Sequence, residues 1–498
     1  MARMPGRPGK TVADYPGFPY NDYCRLYYKR GGDIKMWTKF KNKFIGDRAF
    51  YRRVIYIVLP MIIQNAITSF VNFLDNIMVG QIGTEQMTGV AIVNQLIFVF
   101  NLCIFGGVSG AGIFGTQFYG KGDYEGQKYA FRYKLYTAVI MIAFALYLFT
   151  SWDTQLTSLY LSDTGSVGDI GLTLDYGKQY LSIMLVGLIP FAITQVYINS
   201  IRETGQTFIP MMGGACALVV NLVLDYSLIF GVGPFPAMGV RGAALATVIA
   251  RFVECSVILF WTHTHKEENP YIIGAYKGFG MPKKIFKDIF IKGTPLMMNE
   301  VLWACGMTVA VQCYAVRGLE VVAAQNISST ITNLFNIVYM QIGASIAIVV
   351  GQLLGAGKLK EARDADTKMI FFCVSCCAVI AGLMMMFGGL FPELYNTEPE
   401  IKELAKQFII IAAIFMPFCS FCHGTYFTLR SGGKTVITFL FDSVYVWTVM
   451  IPVAYFTAYH TNLPIVGVFF CVQATEIIKV IIGYLMVRSD IWLQNIVE

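Results

Sequence analysis

Residues 59–83 read LPMIIQNAITSFVNFLDNIMVGQIG. At ~1.5 Å per residue such a run crosses about 30 Å of hydrocarbon, yet Asn65, Thr68, Asn72 and Asp75 interrupt it. Their spacings of three and four draw one polar stripe along a helix. Facing lipid, the stripe would strand its polar groups, so it must face other helices or water. The segment predicts one helix of a polytopic membrane bundle.

The rest of the chain has the same character. Of 498 residues, 56% are hydrophobic and 14% charged, where a soluble chain carries about 25% charged residues; mean hydropathy is +0.57. Apolar runs recur near 54–79, 86–111, 132–152, 173–199, 207–232 and 240–262, and again near 288–314, 322–349, 368–391, 402–427, 436–459 and 464–487. The predicted fold is an all-α integral membrane protein of about twelve transmembrane helices in two pseudo-symmetric six-helix bundles. A basic tail (1–53) precedes an N-terminal lobe (54–262), a polar linker (263–287), a C-terminal lobe (288–487) and a short tail (488–498). The first tail lacks the apolar core of a secretory signal. Its stretch Trp37 to Tyr51 interleaves aromatic and basic residues, which fits a helix on a membrane face or a solvated tail.

Two offsets expose an internal repeat. A gapless shift of 235 places Pro60 on Pro295, Gly83 on Gly318, Asn101 on Asn336, Gln117 on Gln352, Gly120 on Gly355 and Gly122 on Gly357. A shift of 228 places Lys178 on Lys406, Arg202 on Arg430 and Gly205 on Gly433. Matches at Gly, Pro and polar positions carry more weight than apolar ones, which any two membrane helices share. Six spans per half is an even number, so the halves enter from one side as parallel repeats, with a cavity expected between them. That cavity is expected to be mainly apolar and aromatic.

Basic residues set the orientation. Of 38 Lys and Arg, only Lys178, Arg241, Arg317, Lys402 and Lys406 fall in the loops opposite the N-terminus, and Arg251 and Lys479 lie within spans. The opposite loops are acidic, with Asp153, Asp163, Asp169 and Asp175 in one and Glu393, Glu398 and Glu400 in another. Both termini are therefore expected in the cytoplasm and the protein in the plasma membrane.

Ionisable groups within a span are costly and mark function by default. The fifth span places Asn221 and Asp225 on one face, and helical rise puts Asp75, Asp225 and Thr247 at similar depths beneath the outer surface. Carboxylates, an amide and a hydroxyl are hard oxygen ligands for a small cation or a shared proton; hydrogen bonding within the bundle is the plainer reading of Asp75. Arg251 with Glu254, and Glu476 with Lys479, lie three apart and are repeat-related at 225 with signs exchanged, which predicts intramembrane ion pairs. His423 and Asp442 are candidates for the C-terminal cavity, beside the readings of a core histidine and a surface aspartate. The twelve cysteines include two CxxC pairs inside apolar spans, where thiols pack as small hydrophobes, and no metal is expected beyond Na⁺ at the coupling carboxylates.

Here the residues carry a resemblance. LPMIIQNAITSFVNFLDNIMVGQIG, VVNLVLDYSLIFG (Val219–Gly231), GVRGAALATVIA (Gly239–Ala250), GTQFYGKGD and GQLLGAGK resemble segments of the multidrug and toxic compound extrusion family of antiporters, and the likeness spans about residues 50–490. The resemblance implies an ion-coupling site at Asp75, Asn221, Asp225 and Thr247, with Pro60 at a helix bend, as in the bacterial and archaeal branch. Other branches use acids in the seventh and tenth helices; here Glu300 lies about one turn before the expected position and the tenth span has none. Glu300 is therefore read, with Asn65 and Asn72, as lining the substrate cavity.

The expected activity is ion-coupled export of organic, often cationic, compounds by alternating access, with H⁺ or Na⁺ as coupling ion and no organic cofactor. Expected partners are the small substrates and membrane lipid, without nucleic acid, and the chain is read as monomeric and bacterial. No GxxxxGK[ST] loop is present, so nucleotide does not drive it directly. A lipid-linked oligosaccharide flippase would want more basic residues in its cavity. A membrane-embedded acyltransferase would want clustered histidines, and His263, His265, His423 and His460 do not cluster.

Overall fold

Hydrocarbon offers the backbone no hydrogen bonds, so each apolar run satisfies its own as a helix. A computed structural model describes residues 41–158, 170–278, 280–395 and 397–498. Residues 1–40 of the expected tail, and Asp163 and Asp169, lie outside the described residues. Among the described residues twelve helices are long and apolar enough to cross a membrane. They are α1 (Arg48–Gly80), α2 (Thr84–Lys121), α3 (Tyr124–Ser151), α4 (Ile170–Glu203), α5 (Phe208–Phe230), α6 (Val240–Thr264), α7 (Lys283–Ala315), α8 (Leu319–Gly355) and α9 (Leu359–Phe387), followed by α10 (Pro399–Ser431), α11 (Thr435–His460) and α12 (Ile465–Arg488). The side on which α1 begins and α12 ends is called the tail side below.

Two expectations need correction. The stretch 37–51 is not one helix: residues 41–44 are helical, and Asp47 then stops the chain and caps α1, its carboxylate accepting from Phe50 N at 2.8 Å. The linker is shorter and better held than its polarity predicted, because α7 already begins at Lys283. The Arg132 guanidinium donates to the carbonyls of Gly274, Ala275, Lys277 and Gly280 at 2.7–3.1 Å, and Tyr271 is fully buried.

The repeat is visible in the helix pairs. Within the N-terminal lobe α2 packs on α3 and α4, α4 on α6, α5 on α6, and α1 on α5; α8 on α9 and α10, α10 on α12, α11 on α12, and α7 on α11 repeat the set. Between lobes, α2 meets α7, α8 meets α1, and α2 meets α8 along the pseudo-two-fold axis. Repeat-matched glycines share backbone geometry as well: Gly122 and Gly357 have φ of 78° and 73°, and Gly205 and Gly433 86° and 70°, turns closed to most side chains.

On the tail side the lobes touch backbone to backbone. A Cβ on Gly120 would lie 2.0 Å from Gln352 O, and one on Gly355 would lie 1.9 Å from Gln117 O. The glutamines complete the symmetry: Gln117 Nε2 donates to Ser431 O at 2.8 Å, and Gln352 Nε2 donates to Glu203 O at 2.8 Å. Each lobe's first helix also leans into the other lobe. Val54, Ile57, Val58 and Met61 of α1 join a core with Ile342, Ile346 and Ile370, while Ile289 of α7 joins Ala111, Phe114 and Tyr133. Toward the opposite side, α2 exposes Asn94 and Gln95 and α8 exposes Asn326, Thr330 and Asn333. Such groups cannot face lipid cheaply, so these halves line a watery cleft.

Adding a methyl at Gly120 or Gly355 has no room to be absorbed. Gly120→Ala and Gly355→Ala are each expected to cost about 1–3 kcal/mol of overpacking or to part α2 from α8. The measurement is disulfide formation between Thr116→Cys and Gly351→Cys, sites whose atoms would lie 2.8 Å apart. Either Ala substitution should slow that cross-link several-fold.

Candidate functional site

The stripe on α1 and the Asn221–Asp225 face of α5 meet, because α1 packs along α5. Asp75 and Asp225 come within hydrogen-bonding reach of each other, with Asn221 beside Asp225. Both Asp225 oxygens, one Asp75 oxygen and both amide atoms of Asn221 are buried without a hydrogen-bond partner. Two carboxylates offer each other no donor, so the cluster is complete only with a proton or a cation between them. The backbone of α6 approaches α5 at Gly242, where a Cβ would sit 2.6 Å from Leu228 O. Counting tailward from that contact, Asp225 and Thr247 reach the same depth within about 3 Å. Thr247 donates its hydroxyl to Ala243 O at 3.0 Å and keeps its oxygen lone pairs free to accept. The described donors are all oxygens, which fits a small hard cation.

Sequence reasoning missed Tyr180. It is buried on α4, donates to Asn94 Oδ1 at 3.2 Å, and lies close enough to Asp75 and Asp225 for their charges to act on it. Tyr176 stands four residues before it, but two phenols on an apolar span read as packing, so periodicity gave no signal. The other members of the α1 stripe lie elsewhere. Asn65 donates to Met61 O at 2.9 Å within its own helix, and Asn72 stands exposed. Pro60 is buried and α1 runs through it without a break.

The C-terminal lobe holds a different network. Asp442 accepts from Lys479 Nζ at 2.8 Å and from Asn299 Nδ2 at 3.0 Å. Lys479 therefore pairs with α11 and not with Glu476 as expected. The cause is local: α11 takes wide, i→i+5 turns over 440–444 and 446–450, which sets Asp442 between α7 and α12. Arg251 likewise forms no ion pair with Glu254 among the described residues; it donates to Gly187 O at 3.2 Å and lies over the Phe191 ring at 5.0 Å. The repeat offsets tie the lobes together here too, since Gln64, Gly214 and Glu254 match Asn299, Asp442 and Lys479. Gln64 and Glu254 both approach Gly214, at 3.6 and 3.8 Å from where a Cβ would stand. One three-helix junction thus carries an anion in one lobe and an ion pair in the other.

Glu300 accepts from Tyr426 Oη at 3.1 Å and lies against Gly106 of α2, at the seam between lobes. His423 packs its ring on Tyr339 at 4.8 Å, and its Nδ1 is buried without a partner. Where the lobes meet above the α2–α8 contact, a cavity of about 90 Å³ opens. It was expected to be mainly apolar and aromatic, and most of its lining is apolar, with Phe105 and Phe427 among it; Asn199, Arg202, Glu203 and Arg430 add polar groups to its walls. The charges gather there because α4 and α10 both end at this depth, each with an arginine in its last turn.

The MatE family model matches residues 60–227 and 295–456, one match per repeat, starting on the paired prolines. The chain belongs to the MatE family. It is a membrane transporter, not an enzyme. "Probable multidrug resistance protein NorM" of Thermotoga maritima is 25% identical to it over 443 residues, covering 89% of this chain and 93% of the relative. The Bacillus subtilis protein of the same name is 24% identical, covering 84% and 90%. Two solved structures share the fold. One is described as an outward-facing conformation of a multidrug resistance MATE family transporter, with TM-score 0.80, 19% identity and coverage of 89% of this chain and 96% of the other. The other is a MATE structure in the straight conformation, with TM-score 0.79, 20% identity and the same coverage.

The observed pairing makes a stability prediction. Lys479→Met strands Asp442 and should cost about 3–5 kcal/mol, most of it recovered when Asp442 is also made neutral. Glu476→Gln should change thermal unfolding in detergent far less. A large effect of Glu476→Gln would restore the pairing expected from sequence.

Proposed function

We propose that this transporter is a secondary multidrug antiporter, exporting organic amphiphiles in exchange for H⁺ or Na⁺ taken up at Asp75, Asp225, Asn221 and Thr247. The observation that carries the reading is the facing Asp75–Asp225 pair, buried in one lobe with the Asn221 amide beside it and more carboxylate oxygens than the neighbouring donors fill. The likeness to proteins named as multidrug resistance proteins supports the cargo class. The two-lobe architecture supports alternating access. The α2–α8 contact seals the tail side while polar residues line the opposite halves, and rocking the lobes about the axis exchanges the two. The basic asymmetry supports a cytoplasmic tail side in a plasma membrane, and in that orientation the cleft opens outward.

In this reading a bound ion neutralises the carboxylates and lets α1 and α5 close together. Its release to the cytoplasm drives the return step. One charge moved across 100 mV supplies ~2.3 kcal/mol, enough for roughly fifty-fold accumulation.

Asp75→Asn and Asp225→Asn should abolish gradient-driven efflux from liposomes while leaving substrate affinity in detergent within a few-fold of wild type. Imposing proton and sodium gradients separately identifies the ion. Wild-type efflux rates in both variants would remove the site, and uncoupling by Glu300→Gln alone would move it to the other lobe. For orientation, single cysteines placed between Lys266 and Lys277 should resist impermeant thiol reagents in intact cells and react after permeabilisation.

A further inference from the structure

We propose that the cavity on the pseudo-two-fold axis is an anion clamp, in which Arg202 of one lobe and Arg430 of the other hold a carboxylate or phosphate group of the cargo. The proposal rests on the transporter reading and gives the substrate class, anionic or zwitterionic amphiphiles, that this cleft selects.

The two arginines are repeat equivalents at offset 228, each one residue from its helix end. Both line the same cavity between the lobes. Arg430 is 6% exposed, and its Nη1 has no hydrogen-bond partner. Its guanidinium is instead held between rings, 5.8 Å from Phe105 and 5.5 Å from Phe427. These contacts fix its plane and leave its edge free. Arg202 donates through Nη2 to Gln64 Oε1 at 2.6 Å, while its Nε is buried and unpartnered.

Neighbouring acids do not pair directly with either arginine. Glu203 also lines the cavity; its Oε1 is bound to Lys134, which is itself completely buried and further tied to Ser200 Oγ at 2.9 Å, while its Oε2 has no partner. Glu254 and Glu300 act on Arg202 and Arg430 through space, yet among the described residues neither arginine forms an ion pair. Buried guanidinium N–H groups without partners are expensive, and planar forks suit carboxylate and phosphate oxygens. A cavity of about 90 Å³ holds such a group and not a drug-sized scaffold, which needs about 300 Å³ or more. The anionic group would sit at the cleft floor with the apolar body above it. Because the arginines come from opposite lobes, the bound anion also bridges the seam that rocking must open.

The experiment uses the full chain in nanodiscs of zwitterionic lipid and three fluorescent amphiphiles sharing one apolar body. One bears a carboxylate, one its methyl ester and one a quaternary ammonium. Wild type should bind the carboxylate about tenfold or more tightly than the ester, the worth of one charge-assisted hydrogen bond. Arg202→Gln and Arg430→Gln should each erase that preference and leave ester binding unchanged, and Arg430→Lys should restore part of it. Melting temperatures of the variants separate misfolding from lost recognition; Arg430→Lys and Arg202→Gln decide the matter if Arg430→Gln fails to fold. Competition by inorganic phosphate against competition by phosphatidylglycerol tells a soluble anion from a lipid headgroup, and either competitor supports the clamp. No carboxylate preference in wild type, or one that survives both Gln variants, overturns it. Asp75→Asn measured alongside keeps the two readings apart. Loss of coupling without loss of the preference supports both, whereas an intact preference in a protein that exports no probe removes the antiporter reading and leaves the clamp.

Discussion

The structure depends on an approach of two backbones. Where α2 passes α8, Gly120 and Gly355 remove the side chains that would hold the helices apart, and each glycine faces the carbonyl of the other helix's glutamine. Gln117 and Gln352 then reach past this contact to cap the ends of α10 and α4. A single symmetric junction thus joins the lobes, closes one side of the cleft and fixes how deep the cleft runs. The arginines sit just above it because α4 and α10 are anchored to it by their last residues.

The same constraint, that polar groups in hydrocarbon must be satisfied within the protein, explains where the remaining charges lie. Asp442 has two donors and Lys479 an acid; Arg251 has a carbonyl and an aromatic face. Among the described residues, the Asp75–Asp225–Asn221 cluster and the axis cavity, where Arg202 and Arg430 lie beside Asn199 and Glu203, each gather several unmet groups. Those are the places where something from outside the chain can contribute most.

Much of this was legible in the sequence. The 235 and 228 offsets picked out glycines that prove to share turn geometry and a close contact, because Gly at a crossing or a positive φ is not replaceable at low cost. The stripe containing Asp75 and the pair Asn221–Asp225 gave the faces that meet. What periodicity could not give was the partner across a helix interface. Glu476 stands on the same helix as Lys479, and only the wide turns of α11 show that Asp442 comes nearer. Arg202 and Arg430 were matched as repeats, but near the span ends they read as ordinary cytoplasmic positive charge. Their burial follows from the short, recessed loops after α4 and α10, and loop depth leaves little trace in composition. Tyr180 was hidden for a related reason, being a phenol on a largely apolar span, where aromatic residues read as packing.

The crossed packing of α1 has a consequence for how the chain is made. Val54, Ile57, Val58 and Met61 find their neighbours among residues 342–370, and Arg53 donates to Gln352 at 2.9 Å. A ribosome feeding this chain into a bilayer at about 5–20 residues per second leaves α1 waiting many seconds for that surface. In water an exposed apolar edge of this kind would invite aggregation; in a bilayer, acyl chains cover it at little cost. The N-terminal lobe can therefore be inserted before its seam is covered, and this part of the seam closes only after α8 and α9 have been made.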